Sequence, residues 1–167
     1  MWAGGRSTAG LPTSIAETEA VDEDQVTALV DGHRGRIAAA LPGADTRLSG
    51  STLLGLFAGH DIDLVVLVDD VVAAADVLRA VYPPLYEAEW RSDWAAFREL
   101  GPPQVDVVVT QRGTKGDAHH RRAWDLLLED EELRAEYLQR KAAGMTGEEK
   151  RAFFERVVMR LPVDPRP

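Results

Sequence analysis

The chain has 167 residues, 45% of them apolar and 28% charged, with no cysteine and a net charge of −9. That length and apolar content suffice for one domain with a core of its own, and the lack of cysteine excludes disulfides, thiol catalysis and cysteine-based zinc sites. The negative charge opposes nonspecific nucleic-acid binding, which depends on Lys and Arg neutralising phosphates, and no apolar run approaches the roughly 18 residues that span a bilayer.

Residues 1–21 are rich in Gly, Ser, Thr, Ala and Glu. They show no period and read as a flexible tail. They hold no apolar stretch of signal-peptide length, so a cytoplasmic location is expected. Asp22 reads as an N-cap with Gln25 three residues on. Val26, Leu29, Val30, His33, Ile37 and Leu41 then follow at helical spacing, which predicts an amphipathic helix over 23–41 with His33 as a core histidine. Pro42-Gly43 ends it, and DTRLS (45–49) reads as a short strand. Gly50-Ser51 opens a short helix through STLLGLFAG. DIDLVVLV (61–68) is a strong strand. Asp69-Asp70 caps a helix, VVAAADVLRAVY, that Pro83-Pro84 stops. LYEAEW (85–90) and WAAFREL (94–100) flank a tight Arg-Ser-Asp link and predict an antiparallel hairpin. QVDVVVTQ (104–111) is a further strand. Asp117 reads as the cap of a helix over 118–129, Asp130 of one over 131–143, and Gly144 as a C-cap. Thr146 and Glu149 make a capping box for a last helix, 147–160. The expected class is α+β, a mixed sheet flanked by helices with a C-terminal helical segment. The organisation is a tail (1–21), an α/β core (22–116) and C-terminal helices packed on it (117–167).

The charge is unevenly placed: residues 1–111 carry 17 of the 28 acids but only 7 of the 19 bases. Within that acidic part, Asp61 and Asp63 open an otherwise apolar strand. A strand has a side-chain period of two, so both point to one face. Held that close they repel each other, and a divalent cation between them removes the conflict. Magnesium takes one or two carboxylates plus water and phosphate oxygens. Solvated strand ends or helix caps would also explain such a pair; its neighbours favour a site. Gly50-Ser51 begins a helix, whose unpaired N–H groups suit phosphate. Asp106 is a lone carboxylate in the strand Val105-Asp106-Val107-Val108-Val109. If its strand neighbours the first, three carboxylates suffice for two metal ions, which can clamp the attacking and leaving oxygens of a phosphoryl displacement.

This pattern resembles the nucleotidyltransferase superfamily typified by DNA polymerase beta. The matching residues are Leu48-Ser49-Gly50-Ser51, then Asp61-Ile62-Asp63-Leu64 after nine residues, then Val105-Asp106-Val107, within roughly residues 45–111. Ser49 stands where the family has a large apolar residue. The resemblance implies a nucleotidyltransferase-like fold. It implies that Gly50 and Ser51 grip the β/γ-phosphates of a nucleoside triphosphate. ATP is the expected triphosphate, and Thr52 and Lys115 are further nucleotide-binding candidates. The resemblance also implies that Asp61 and Asp63 ligate both magnesium ions, and that Asp106 completes the second metal site and helps activate the acceptor hydroxyl. The same three aspartates are thus the catalytic and the metal-ligating candidates. The reaction implied transfers a nucleoside monophosphate and releases pyrophosphate. Gly50, Ser51, Thr52, Gly55 and Leu56, with RAWDLLLEDEELRAEYLQRKAA and EEKRAFFERVV, are similar to the GrpB-like branch. That branch usually has Pro-Gly-Leu and Lys-Pro before its aspartates; this chain has Leu54-Gly55-Leu56 and Gly59-His60, at shorter spacing.

The expected acceptor is a small molecule or a protein side chain, because the acidic surface disfavours polymeric nucleic acid; no membrane partner is expected. The alternatives are a noncatalytic nucleotide-binding or interaction module, as among superfamily members that partner toxins, and a biosynthetic enzyme with different chemistry. His119-His120-Arg121-Arg122, Arg112 and Lys115 could face a triphosphate or acceptor, although a solvated basic helix face is the preferred reading. His60 reads as a turn residue, and Trp90, Trp94 and Tyr86 as core packing rather than a base-stacking platform.

Overall fold

The computed structural model describes residues 23–56 and 61–162; the expected tail over 1–21, and His60, lie outside them. Helix α1 (Glu23–Ala40) buries Val26, Val30, His33 and Ile37, one face at helical spacing. His33 is a satisfied core histidine: its Nδ1 lies 2.9 Å from the Tyr82 hydroxyl in a buried hydrogen bond. Burial holds its pKa below the ordinary histidine value.

Among the described residues, β1 (Asp45–Ser49), β2 (Asp61–Leu67), β3 (Pro84–Leu85), β4 (Trp94–Glu99) and β5 (Gln104–Thr110) form one mixed sheet, in the order β1-β2-β5-β4-β3. β2 and β5 run parallel at its centre, and the other pairs are antiparallel. The chain between β2 and β5 begins with α2 (Val71–Leu78), whose N-cap Asp70 accepts a 3.0 Å hydrogen bond from Ala73 N–H. One sheet face carries Ile62, Leu64, Val66, Val105, Val107, Val109 and Phe97, and it shares an apolar core with α1 and α2.

A second apolar cluster belongs to the C-terminal helices: α3 (Lys115–Asp117), a π-helical turn (Ala118–Arg122), α4 (Ala123–Glu129), α5 (Glu131–Ala142) and α6 (Gly147–Arg160). Trp124 centres it, 4.6 Å from the Phe154 ring and 5.3 Å from the Tyr137 ring. Leu53, Leu54 and Leu56, from the segment after Gly50, pack against this cluster. Asp130 caps α5, and Thr146 and Glu149 form the expected capping box on α6. No helix among the described residues is long and apolar enough to cross a membrane.

Four expectations change. The segment after Gly50 forms only a 3-10 turn over Ser51–Leu54 in its described part. The helix expected to reach Tyr82 ends at Leu78. The first arm of the hairpin is two residues, Pro84–Leu85, because Tyr86 adopts φ +50° and a 3-10 turn follows at Glu87–Glu89. Finally, Asp117 does not cap its helix. The cap is Thr114, whose hydroxyl accepts from Asp117 N–H. Asp117 is fully buried, accepting from Gly113 N–H at 2.9 Å and from both prongs of the Arg121 guanidinium at 2.5 and 2.7 Å. An Asp this dry is stable only when so paired.

Candidate active site

The sheet register brings the expected carboxylates onto one face. In the parallel β2–β5 pair Asp63 stands opposite Asp106. Asp61 precedes Asp63 by two residues and so shares its face. On the other side of β2, Ser49 of β1 stands opposite Asp63. The chain then turns at Gly50, with φ +68°, and lies so close that a Cβ there would sit 1.9 Å from Asp63 Oδ2. Only glycine permits both the backbone angle and the approach. Thr52 is buried and donates its hydroxyl to the Asp61 carbonyl at 3.1 Å. It therefore locks the turn to the start of β2, with its hydroxyl committed to the backbone. Ser51 opens the 3-10 turn and is half-buried.

Between this face and the C-terminal helices lies a cavity of about 290 Å³, lined by Gly50, Asp63, His120, Trp124, Lys150 and Phe154 among others. Burial pushes the Asp63 carboxyl up to about 6, and the charges of Asp106 and Asp61 add to the rise; Lys150 and Lys141 oppose it. The two lysines come from α6 and α5, so the helical layer brings positive charge to a carboxylate that the sheet leaves in conflict. His120 is pushed down to about 4 by burial, then by His119 and Lys150. It is neutral at pH 7. Its Nε2 accepts from the Trp94 indole N–H at 3.3 Å, so the proton sits on Nδ1. Its backbone carbonyl accepts a hydrogen bond from the Ser49 hydroxyl, which ties the π-helical turn to β1. A π-helical turn inside a helix is a frequent mark of a functional site.

Asp106 is differently placed. Arg98, directly opposite on β4, grips both its oxygens, Nε at 2.7 Å and Nη2 at 2.6 Å, and Gln104 Nε2 adds a contact at 3.2 Å. Among the described residues no group of three His, Cys, Asp or Glu side chains stands close enough to hold a metal ion. The chemistry of the donors therefore fits a magnesium ion in part. Asp61 and Asp63 share a face, and Asp63 is raised by burial and by carboxylate charge rather than settled by a hydrogen bond. Asp106 does not fit while Arg98 holds it.

Lys115 lies apart from the cavity. It lines a neighbouring hollow of about 210 Å³ with Glu89, Arg91, Trp94 and Gly116, and His119 and His120 form the wall between the two. Arg112 pairs with Asp45, beside the groove that holds Asp69 and Asp70. The expected solvated basic face is not what forms. Arg121 is tied to buried Asp117 and to Asp125, and the two histidines face the hollows. Trp90 packs as expected, 5.0 Å from the Phe97 ring. Tyr86 is exposed. Sequence reasoning missed Arg98, Lys141 and Lys150. The available signals were an arginine among the apolar residues of WAAFREL and a Lys-Arg pair in the first turns of α6.

Fold and face together define an α+β protein, a mixed five-stranded sheet flanked by helices with a carboxylate-bearing face beneath its C-terminal helices. The structure is similar to the crystal structure of conserved protein GrpB from Enterococcus faecalis, with a TM-score of 0.60 and 16% identity, covering 80% of this chain and 90% of that one. It also matches a structure of a cytoplasmic RNA terminal U-transferase, with a TM-score of 0.39 and 21% identity, over 54% of this chain and 30% of that one. The first likeness establishes the GrpB fold. No protein-family model and no curated protein matches the sequence.

Proposed function

We propose that this chain binds a magnesium-bound nucleoside triphosphate, ATP foremost, at the Gly50–Asp63 cavity and transfers its nucleoside monophosphate to a hydroxyl of a small molecule or protein. The observation that carries the reading is the close approach of Gly50 to Asp63 at the edge of a cavity that Lys150 and Arg151 also line. A backbone turn without a side chain, a carboxylate and two cations suit a polyphosphate that arrives with a metal ion. Asp61 and Asp63 would hold that ion, which supplies charge neutralisation at the phosphates. Lys150 and Arg151 orient the polyphosphate, and the apolar wall of Trp124 and Phe154 keeps water from one side. In the transfer, the acceptor oxygen bonds to the α-phosphorus and the bond to the bridging oxygen breaks. Pyrophosphate leaves with that electron pair, and the hydroxyl proton passes to a carboxylate of this face.

One observation favours a second reading, a noncatalytic nucleotide-binding module. Both oxygens of Asp106 are occupied by the Arg98 guanidinium, which leaves neither free to receive an acceptor hydroxyl. One experiment separates the two. Each labelled triphosphate is incubated with magnesium and the chain, or its Asp61→Ala/Asp63→Ala variant, and both binding and pyrophosphate release are followed. Transfer predicts magnesium-dependent binding and pyrophosphate release, both lost in the variant. Binding without release across a screen of acceptors selects the module. No magnesium-dependent binding by the parent sinks both.

A further inference from the structure

Three carboxylates on two adjacent strands suggest room for two ions, yet the third already has a cation. Arg98 and Asp106 are opposed in the β4–β5 register, so the pair is set by strand pairing rather than by a chance surface encounter. The fork is bidentate, the geometry in which Arg most strongly and specifically satisfies a carboxylate. The Arg98 backbone N–H is itself anchored to the Pro83 carbonyl at 3.0 Å. A divalent ion at Asp106 would have to expel the guanidinium or sit against it.

We propose that Arg98 stands in for one of the two cations: Asp61 and Asp63 take a single divalent ion, and the guanidinium supplies the positive charge at Asp106. This rests on the reading of Asp61 and Asp63 as a cation site, and the test keeps the two apart. The probe is Mn2+ alone, titrated into the full chain, with the free-ion paramagnetic resonance signal reporting the number bound. The parent chain is expected to bind one ion, Arg98→Lys one, and Arg98→Ala two. Arg98→Ala/Asp106→Asn should return to one and also removes the unpaired carboxylate that could unfold the single variant. Two ions on the parent chain overturn the proposal while leaving the cation site standing, and this outcome needs no variant at all. One ion on a folded Arg98→Ala chain overturns it as well, since the guanidinium is then not what excludes the second. No ion on any of the four chains overturns the cation site and the proposal together.

Discussion

Replacing Asp63 by asparagine should make the protein more stable, not less. The folded-state carboxyl is raised from 3.8 to about 6. A raised carboxyl favours the protonated form in the fold, so its stabilising contribution is complete below the unfolded value and is lost as pH rises through the folded one. At neutral pH the parent chain carries the full penalty. About 2 pH units at 1.36 kcal/mol each gives roughly 3 kcal/mol, and water at the cavity mouth screens part of it, leaving about 2–3 kcal/mol. Asparagine is nearly isosteric, keeps its place under Gly50 and does not titrate. For a chain of this size the gain corresponds to a rise in Tm of roughly 5–10 °C. Melting curves by circular dichroism from about pH 4 to about pH 8 should show the advantage vanishing at the acid end and reaching its maximum above about pH 7. An advantage of the same size at both ends, or none at the alkaline end, would refute the assignment of Asp63 as a carboxylate in electrostatic conflict.

Three further outcomes are expected. Gly50→Ala places a Cβ 1.9 Å from Asp63 Oδ2 at φ +68° and should destabilise by about 2–4 kcal/mol in chemical denaturation; adding Asp63→Ala should restore part of that loss, and full additivity would contradict the contact. Asp117→Asn removes the buried charge that Arg121 grips and leaves the half-buried guanidinium with Asp125 alone, which should cost about 2–3 kcal/mol, so a change in denaturation midpoint equivalent to less than about 1 kcal/mol would show the pair to be unimportant. His120 is depressed from 6.5 to about 4, so it contributes stability above its unfolded value that is lost as pH falls through that window. The loss is up to about 3 kcal/mol, and His120→Gln should flatten the acid limb of the melting profile.

The elements that carry the site were legible where local pattern suffices. The alternation of DIDLVVLV and QVDVVVTQ marked β2 and β5, and it put Asp61, Asp63 and Asp106 on the faces they occupy. Short-range capping chemistry likewise gave α5 and α6 their starting points. What stayed hidden depends on pairing between distant segments. Nothing local says that β5 lies between β2 and β4, and without that order Arg98 cannot be matched to Asp106. Nor does the amphipathic pattern of α6 say against which surface Lys150 is laid. Asp117 misled because the hydroxyl of Thr114, three residues earlier, already provides the cap.

The placement of Lys141 and Lys150 against Asp63 sets up a field that reverses with distance. A triphosphate far from the surface meets a body of charge −9 and is repelled. Inside the cavity, on the proposed function, it would meet Lys150 and Arg151 and be drawn in. At about 0.1 M salt the screening length is roughly 10 Å, short enough to mute the distant repulsion and long enough to leave close contacts intact. Moderate salt should therefore speed the arrival of a polyphosphate here, the opposite of the slowing expected of a surface that steers its anion from afar.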